Sequence, residues 1–330
     1  MKAIVRGWLW RYYRFRRRRA AARAVILMYH RVLPRPGEDC LGICVSLTSF
    51  ERQLAALKRS YAVVRMAELA AGLRAETLSR DAVVLTLDDG YRDNHCHALP
   101  ALEARGLPAT FFVPTDFVGR PRPSTDARLA CLIESTSRPA VRLGGREIPL
   151  DSRESRHLAA HRILRRLNAL DGAAREERLA ELARELGVDE RPAPDVDLPM
   201  DWRELRDLTR RGMTVGSHGV SHRRLAGLSA GELRRELEDS RRTLERRLER
   251  EVRFLAYPYG RPADVDRTVV RAAGRAGYEI GCTASPGSVG AASEPLLLRR
   301  LDVRASRPAA LCFEIERALA EEEPAESFAR

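Results

Sequence analysis

Residues Ala82–Asn94 read AVVLTLDDGYRDN, an apolar β run that ends in two adjacent carboxylates and a glycine. Val83, Val84, Leu85, Thr86 and Leu87 are all good strand residues. An unbroken run of this kind fits a strand covered on both faces of a parallel sheet better than a half-exposed one. Parallel sheets place their chemistry at the carboxyl ends of strands, and Asp88, Asp89 and Gly90 fall there. Two neighbouring carboxylates repel, so an interior strand end holding both requires a cation or a proton. In an ideal strand they would point to opposite faces. Both can face one ion only if the chain leaves regular β geometry, which Gly90 makes easy. The plainer alternative is that the pair caps the following helix, since aspartate is a favoured cap.

A second stretch shifts the balance. Met213–His222 reads MTVGSHGVSH, a short apolar strand followed by His218 and, four residues on, His222. Two histidines at that spacing can share one face of a helical turn, within reach of one small ion. Two histidines and one aspartate are a common ligand set for catalytic zinc, with room left for water and substrate.

Together, LTLDDG, SHGVSH and the later AYPYG (Ala256–Gly260) resemble, in order, three motifs of the polysaccharide deacetylase family of carbohydrate esterases. The resemblance runs from about Val25 to Val303. It implies an α/β fold: an irregular, incomplete (β/α) barrel. It implies that Asp89, His218 and His222 hold a divalent ion, with zinc the expected one and cobalt or nickel accepted by the same ligands. Asp88 would be the catalytic base. Tyr259 would give its backbone N–H to an oxyanion hole, with its ring lining the site. The family commonly has an arginine three residues before this tyrosine, where this chain has Ala256. Arg299 and Arg300 are candidates to replace it. The family generally takes its general acid from a late histidine, and none follows His222. In the exopolysaccharide deacetylase branch a tyrosine-histidine pair on the first strand fills that role. Tyr29-His30, closing the run AVILMYHRV, is similar, so His30 is the expected acid. A lone histidine at a strand end could otherwise be a structural core residue.

At 330 residues the chain can bury one barrel-sized domain with an insertion. Net charge is +12, and 58 basic residues less Lys2 and Lys58 leave 56 arginines. So strong an arginine bias can reflect codon composition. With no nucleic-acid motif beside it, no nucleic-acid partner is expected. Residues 1–23 carry nine positive charges, no acid, and Trp8, Tyr12, Tyr13 and Phe15 interleaved. This basic aromatic tail reads either as an amphipathic helix on an anionic membrane surface or as a solvated tail. No apolar run has the length of a signal peptide core or a membrane span. The expected location is cytoplasmic, with peripheral contact at the inner membrane face. The six cysteines make no Cys-x-x-Cys pattern and suit reduced, mostly buried thiols.

The remaining pattern alternates strand and helix, which argues for a parallel sheet or barrel. Helices are expected at Leu47–Arg59 (capped by Ser46 or Thr48), Met66–Leu73, Asp93–Arg105, Asp201–Gly212, Ser229–Arg250, Asp264–Ala276 and Arg307–Ala320. Strands are expected at Ala24–Val32, Tyr61–Val64, Ala109–Val113, Arg253–Gly260, Tyr278–Thr283 and Leu296–Val303. Residues 24–320 form the barrel, and an acidic tail, 321–330, ends the chain. Between two proline-rich loops, at about 120–200, the rhythm breaks. Ser155–Leu186 is charged with two leucine stripes, Leu158/Ile163/Leu167/Leu170 and Leu179/Leu182/Leu186, and is expected as a helical insertion over the active face. It carries a second His-x-x-x-His, His157 and His161, with no strand end or carboxylate pair nearby. His95 and His97, two apart on a helix, face different ways. The expected reaction is metal-dependent removal of an acetyl group from an N-acetylated sugar of a cell-surface polysaccharide, or of a lipid-linked precursor. The alternatives are an amidohydrolase or deformylase acting on another acyl amide, and a carbohydrate-binding pseudoenzyme.

Overall fold

The computed structural model describes residues 22–37, 39–78, 81–170, 172–189, 195–304 and 307–321. Most of the basic tail and nearly all of the acidic tail lie outside these residues. Among the described residues no helix is long and apolar enough to cross a membrane.

Strands β1 (Arg23–Tyr29), β2 (Arg31–Leu33), β3 (Cys44–Ser46), β4 (Ala62–Val63), β5 (Ala82–Leu87) and β6 (Thr110–Val113) come first. A hairpin of β7 (Ala140–Leu143) and β8 (Arg146–Pro149) lies in the insertion. Strands β9 (Thr214–Ser217), β10 (Phe254–Ala256), β11 (Ile280–Cys282), β12 (Val289–Gly290) and β13 (Leu301–Asp302) complete the set. The main sheet runs β11-β10-β9-β6-β5-β1-β12, and its first six strands are parallel. It curls into an incomplete barrel. The segment that ends in β13 spans the gap, because Leu298 bridges Cys282 of β11 while Leu301 and Asp302 pair with Leu27 and Met28 of β1.

Every residue of β5 is buried, as an unbroken apolar run requires. Val83, Leu85 and Leu87 pack outward into the large cluster formed with the surrounding helices. Val84 faces a second cluster with Ile26, Phe112, Phe254 and Ala256, together with Met66 and Leu69 of helix Met66–Arg74. The expected helices form where caps and apolar faces agree: Ser46 caps Leu47–Ser60 and Asp201 caps Trp202–Arg210. Two expected helices are interrupted by wide turns, at Asn94–Ala98 and at Arg235–Asp239. The strand expected over Leu296–Val303 shortens to β13, preceded by a turn at Pro295–Leu297.

The insertion is richer than its sequence pattern suggested. The Ser155–Leu186 region is two helices, Arg153–Leu167 and Gly172–Leu186. A further helix, Thr125–Ser135, and the β7–β8 hairpin precede them. Leu158 is exposed, and the buried face uses Ala159, Ala160, Ile163 and Leu164 instead. These elements share their own apolar cluster, which also covers Cys40 and Leu41 of the loop after β2.

A buried polar knot fixes that loop's start. Asp93 accepts from Arg31 Nε at 2.8 Å and from the Val32 N–H at 3.0 Å. Asn94 donates to the His30 carbonyl at 2.8 Å. The break between β1 and β2, where His30 sits, is thereby clamped to the segment after β5. Asp93→Ala leaves the Arg31 guanidinium partly unpaired in the interior. It should lower unfolding free energy by about 3–5 kcal/mol in a denaturant titration, whereas Glu238→Ala, which removes an exposed pair with Arg242, should change it by less than about 1 kcal/mol.

Candidate active site

Four strand ends and the closing segment converge at the mouth of the barrel: His30 after β1, Asp88 and Asp89 after β5, His218 after β9, Tyr257 and Tyr259 after β10, and Arg300 just before β13. All line one cavity of about 470 Å³.

The backbone departs from regular geometry here. Asp88 continues beyond β5 on the same face as Val84 and Thr86, and Thr86 and Asp88 both bond Arg300. Asp89 is in the left-handed region at φ 72°, which turns its carboxylate toward the histidines. Gly90 follows at φ 68°, and a Cβ there would meet Val113 Cγ1 at 2.9 Å. The expected exit from β geometry therefore occurs at Asp89 itself, with Gly90 completing it. His222 (φ 53°) and Tyr259 (φ 61°) are also left-handed. Three non-glycine residues in this sparsely populated region at one site mark strain held in place by its surroundings.

The helical turn expected for SHGVSH is not formed. His218–His222 is an irregular loop, with Gly219 at φ 77°. The two imidazoles still meet, with ring centroids 4.8 Å apart. Asp89 Oδ1 lies 3.4 Å from His218 Nε2 and 3.2 Å from His222 Nε2. One ligand atom from each of the three residues lies within 4.8 Å of the others. His218 donates through Nδ1 to the Ala256 carbonyl at 2.7 Å, which leaves Nε2 facing Asp89. Orienting a ligand imidazole by a backbone carbonyl is the usual outer arrangement at metal sites. The donor set, its burial and this orientation fit a divalent ion. Burial raises the Asp89 pKa, but His222 and hydrogen bonds from both histidines hold it well below the ordinary carboxylate value.

Asp88 is not within that trio. Both its oxygens are held by Arg300, Nη1 to Oδ1 at 2.8 Å and Nη2 to Oδ2 at 2.7 Å, and both residues are only 1% exposed. Arg300 is further fixed by Nε donating to the Thr283 carbonyl at 2.8 Å. Of the two candidates for the arginine missing at Ala256, Arg300 makes the contact, while Arg299 donates to the Pro286 carbonyl. Burial would raise the Asp88 pKa, but Arg300 and His218 outweigh it and keep the carboxyl below its usual value.

Tyr259 sets its ring 4.9 Å from the His222 ring, and its hydroxyl donates to the His222 carbonyl at 3.3 Å. Burial pushes that hydroxyl well above its usual pKa, so it stays neutral. Tyr29, beside His30, points away into the core, where its hydroxyl donates to Gln53.

His157, His161 and His95 are engaged elsewhere. His157 and His161 bond the carbonyls of Cys40 and Leu41 through Nδ1 and Nε2, at 2.8 and 3.2 Å. They tie the insertion to the loop after β2. Burial and His157 lower the His161 pKa to about 4. His95 pairs with Asp207 at 3.0 Å. One cavity residue that carried no sequence signal is Asp126, in the first turn of Thr125–Ser135. Its buried carboxyl is raised by desolvation, an effect that the nearby His222 opposes.

Residues 75–281 match the family model described as polysaccharide deacetylase, and the chain belongs to that family. Over 85 residues it is 26% identical to YxkH of Bacillus subtilis (strain 168), a match that covers 26% of this chain and 29% of that protein. Three solved structures share the fold. Streptococcus pyogenes deacetylase PplD is 20% identical at a TM-score of 0.61, with 90% of this chain and 99% of that chain covered. IcaB from Ammonifex degensii is 19% identical at 0.57, covering 91% and 98%. The BpsB deacetylase domain from Bordetella bronchiseptica is 17% identical at 0.50, covering 86% and 97%.

The site makes a direct prediction about metal. His218→Ala should reduce bound zinc or cobalt from about one per chain to near none, read by elemental analysis after dialysis. His161→Ala should leave metal content unchanged, since its imidazole is engaged by Leu41.

Proposed function

We propose that this chain is a metal-dependent deacetylase that hydrolyses the acetamide of an N-acetylated sugar in a surface polysaccharide or its precursor. The observation that carries this reading is the placement of Asp89, His218 and His222 beside the Arg300-held Asp88 in one cavity that His30 also lines. PplD, which has the same fold, was solved in complex with acetate, the product expected here.

Asp89, His218 and His222 would hold the ion. Bound there, a divalent ion supplies Lewis acidity toward an acyl oxygen and makes water a better nucleophile near neutral pH. The chain's own groups divide the rest of the work. Asp88 is ionised and accepts the proton of the attacking water as the C–O bond forms. Among the described residues the Tyr259 backbone N–H has no acceptor, so it is free to bond the developing oxyanion. His30 donates its proton to the amine nitrogen as the C–N bond breaks, giving acetate and a free amino sugar. The cavity is open enough to admit sugar rings, and residues of helix Arg153–Leu167 form part of its wall.

Acetate release from N-acetylglucosamine oligomers tests the proposal. The wild type loaded with zinc or cobalt should release acetate, and His218→Ala should not. Metal bound without release from any oligomer would overturn the reaction assigned here. His30→Gln should lower kcat on these amides by about 10²–10⁴, the usual value of a general acid. On an acetate ester with a good leaving group, which needs no proton, the loss should be far smaller.

The base gives a signed pH prediction. Arg300 keeps Asp88 ionised at lower pH than its burial alone would allow. Arg300→Met removes that stabilisation while desolvation stays. The acidic limb of the kcat/KM profile should therefore move to higher pH, with a larger loss at pH 6 than at pH 8. An unmoved limb would remove Asp88 as the titrating base.

A further inference from the structure

The two metal-facing imidazoles are not equally anchored. His218 is oriented through Nδ1 by the Ala256 carbonyl at 2.7 Å. His222 Nδ1 has only the Tyr259 hydroxyl, at 3.4 Å. His222 also ends an irregular loop, in the left-handed region at φ 53°. Such a conformation persists in a residue other than glycine only where its surroundings impose it. The residues just before it, Val220 and Ser221, are where the loop is gripped.

Glu236 lies in the wide turn Arg235–Asp239 and is only 4% exposed. Its Oε2 accepts the Val220 N–H at 2.8 Å and the Ser221 N–H at 3.0 Å. Its Oε1 accepts the Ser221 hydroxyl at 2.5 Å. Two successive amides aimed at one carboxylate form a small anion nest, and hydrogen bonds to a carboxylate are roughly twice as strong as neutral ones. Gly219 makes the approach possible, since a Cβ there would lie 3.0 Å from Glu236 Oε2. The charged stretch around Glu236 uses its other carboxylates in ion pairs: Glu232 with Arg223, Glu238 with Arg242 and Glu245 with Arg241. Among the described residues Glu236 pairs with no arginine, and all three of its hydrogen bonds go to the loop.

The carbonyl side of the loop is held as well. The Gly219 carbonyl accepts the Thr115 N–H at 3.1 Å and the Ser240 hydroxyl at 2.9 Å, and the Val220 carbonyl accepts the Asp116 N–H at 2.9 Å. Ser240 is buried four residues beyond Glu236, so both side chains reach the loop from one face of their segment. Tyr278 pins the wide turn itself, donating to the Leu237 carbonyl at 2.8 Å. Glu236 does not line the active-site cavity, so its contacts bear on the site only through the loop.

We propose that Glu236 is a positioning residue for the ion site: by holding the amides of Val220 and Ser221 it fixes His222 in the left-handed geometry that turns Nε2 to Asp89, and so sets the affinity of the site for its metal. This rests on the ion site of the deacetylase reading. Glu236 acts there as an outer partner through the backbone, where His218 has the Ala256 carbonyl on its ring.

Zinc affinity, read on folded metal-free protein by competition with a chromophoric chelator, tests the role without any turnover. Glu236→Ala removes all three bonds and should weaken zinc binding at least about tenfold, the usual cost of losing an outer partner of a metal ligand. Glu236→Gln keeps one oxygen for the two amides but loses the charge, so its affinity should fall between the two. Cobalt gives a second readout. The visible absorption of cobalt-loaded Glu236→Ala should shift toward that of His222→Ala, because the imidazole is no longer held at the ion. Glu238→Ala, in the same turn, should leave both readouts unchanged. Unchanged zinc affinity in Glu236→Ala, with only its unfolding midpoint lowered, would make Glu236 a purely structural residue and overturn the proposal. A weakened site whose cobalt spectrum stays that of the wild type would place the effect away from His222 and also overturn it. Should Glu236→Ala fail to fold, Glu236→Gln decides: zinc binding about threefold or more weaker than in the wild type, the margin between charged and neutral hydrogen bonds, upholds the role, and equal affinity overturns it. Wild type that binds no zinc would fail the ion site itself and this role with it, whereas wild-type binding that the substitutions leave untouched fails the role alone, so the two claims are separable.

Discussion

The Asp88–Arg300 pair ties the segment that closes the barrel to the end of an interior strand. Asp88 follows the central strand β5, and Arg300 rides on the segment that spans the gap between β11 and β1. A buried ion pair breaks even against desolvation only when geometry is good and remaining hydrogen-bonding groups are satisfied. Here both carboxylate oxygens are engaged and Arg300 also bonds Thr86 and Thr283. The guanidinium stacks over the Phe112 ring at 5.8 Å, so its apolar face is covered as well. The pair therefore does two things with one set of contacts. It orders the closing segment against the interior, and it fixes a carboxylate in its ionised form next to the metal ligands.

The two aspartates of one dipeptide are driven apart by the backbone. Asp88 stays on the strand's own path and meets an arginine. Asp89 turns left-handed and meets two histidines. Like charges in adjacent residues would otherwise raise one another's pKa, yet both carboxyls are lowered because each has a separate cationic environment. On the proposed mechanism, this separation would let one bind an ion while the other remains a base. The strain at Asp89, His222 and Tyr259 is the conformational counterpart: three residues reach the cavity only from the left-handed region, and Gly90 leaves room for Val113 beside them.

Much of this was legible in the sequence because it is local. The apolar run before Asp88, the strand before His218 and the strand before Pro258 each declare a buried strand end, and their order matches one family. His30, expected at the site from the resemblance of Tyr29-His30, does line the cavity. What the sequence could not convey was pairing at long range. Arg299 and Arg300 are equivalent in sequence, and only the register of β13 against β1 decides which one faces inward. The His-x-x-x-His spacing suggested a helical turn, because spacing is all a periodic reading can use, whereas Gly219 and the left-handed His222 produce the same proximity in a loop. The insertion was legible as helical but not as a unit. Its hairpin has only four-residue strands, and helix Thr125–Ser135 follows a proline-rich loop that masks its start.

The insertion also gives the second His-x-x-x-His pair a structural use. Helix Arg153–Leu167 spends His157 and His161 on the carbonyls of Cys40 and Leu41, groups that an irregular loop leaves unpaired and that cost free energy when buried so. The same helix then presents His161, Leu164 and Asn168 to the cavity. The barrel supplies the reacting groups from its strand ends, where rigid pairing holds them in place. The insertion supplies part of the wall. The proposed chemistry thus falls to strand ends of the barrel, while the insertion contributes His161, Leu164, Arg165 and Asn168 to the cavity wall.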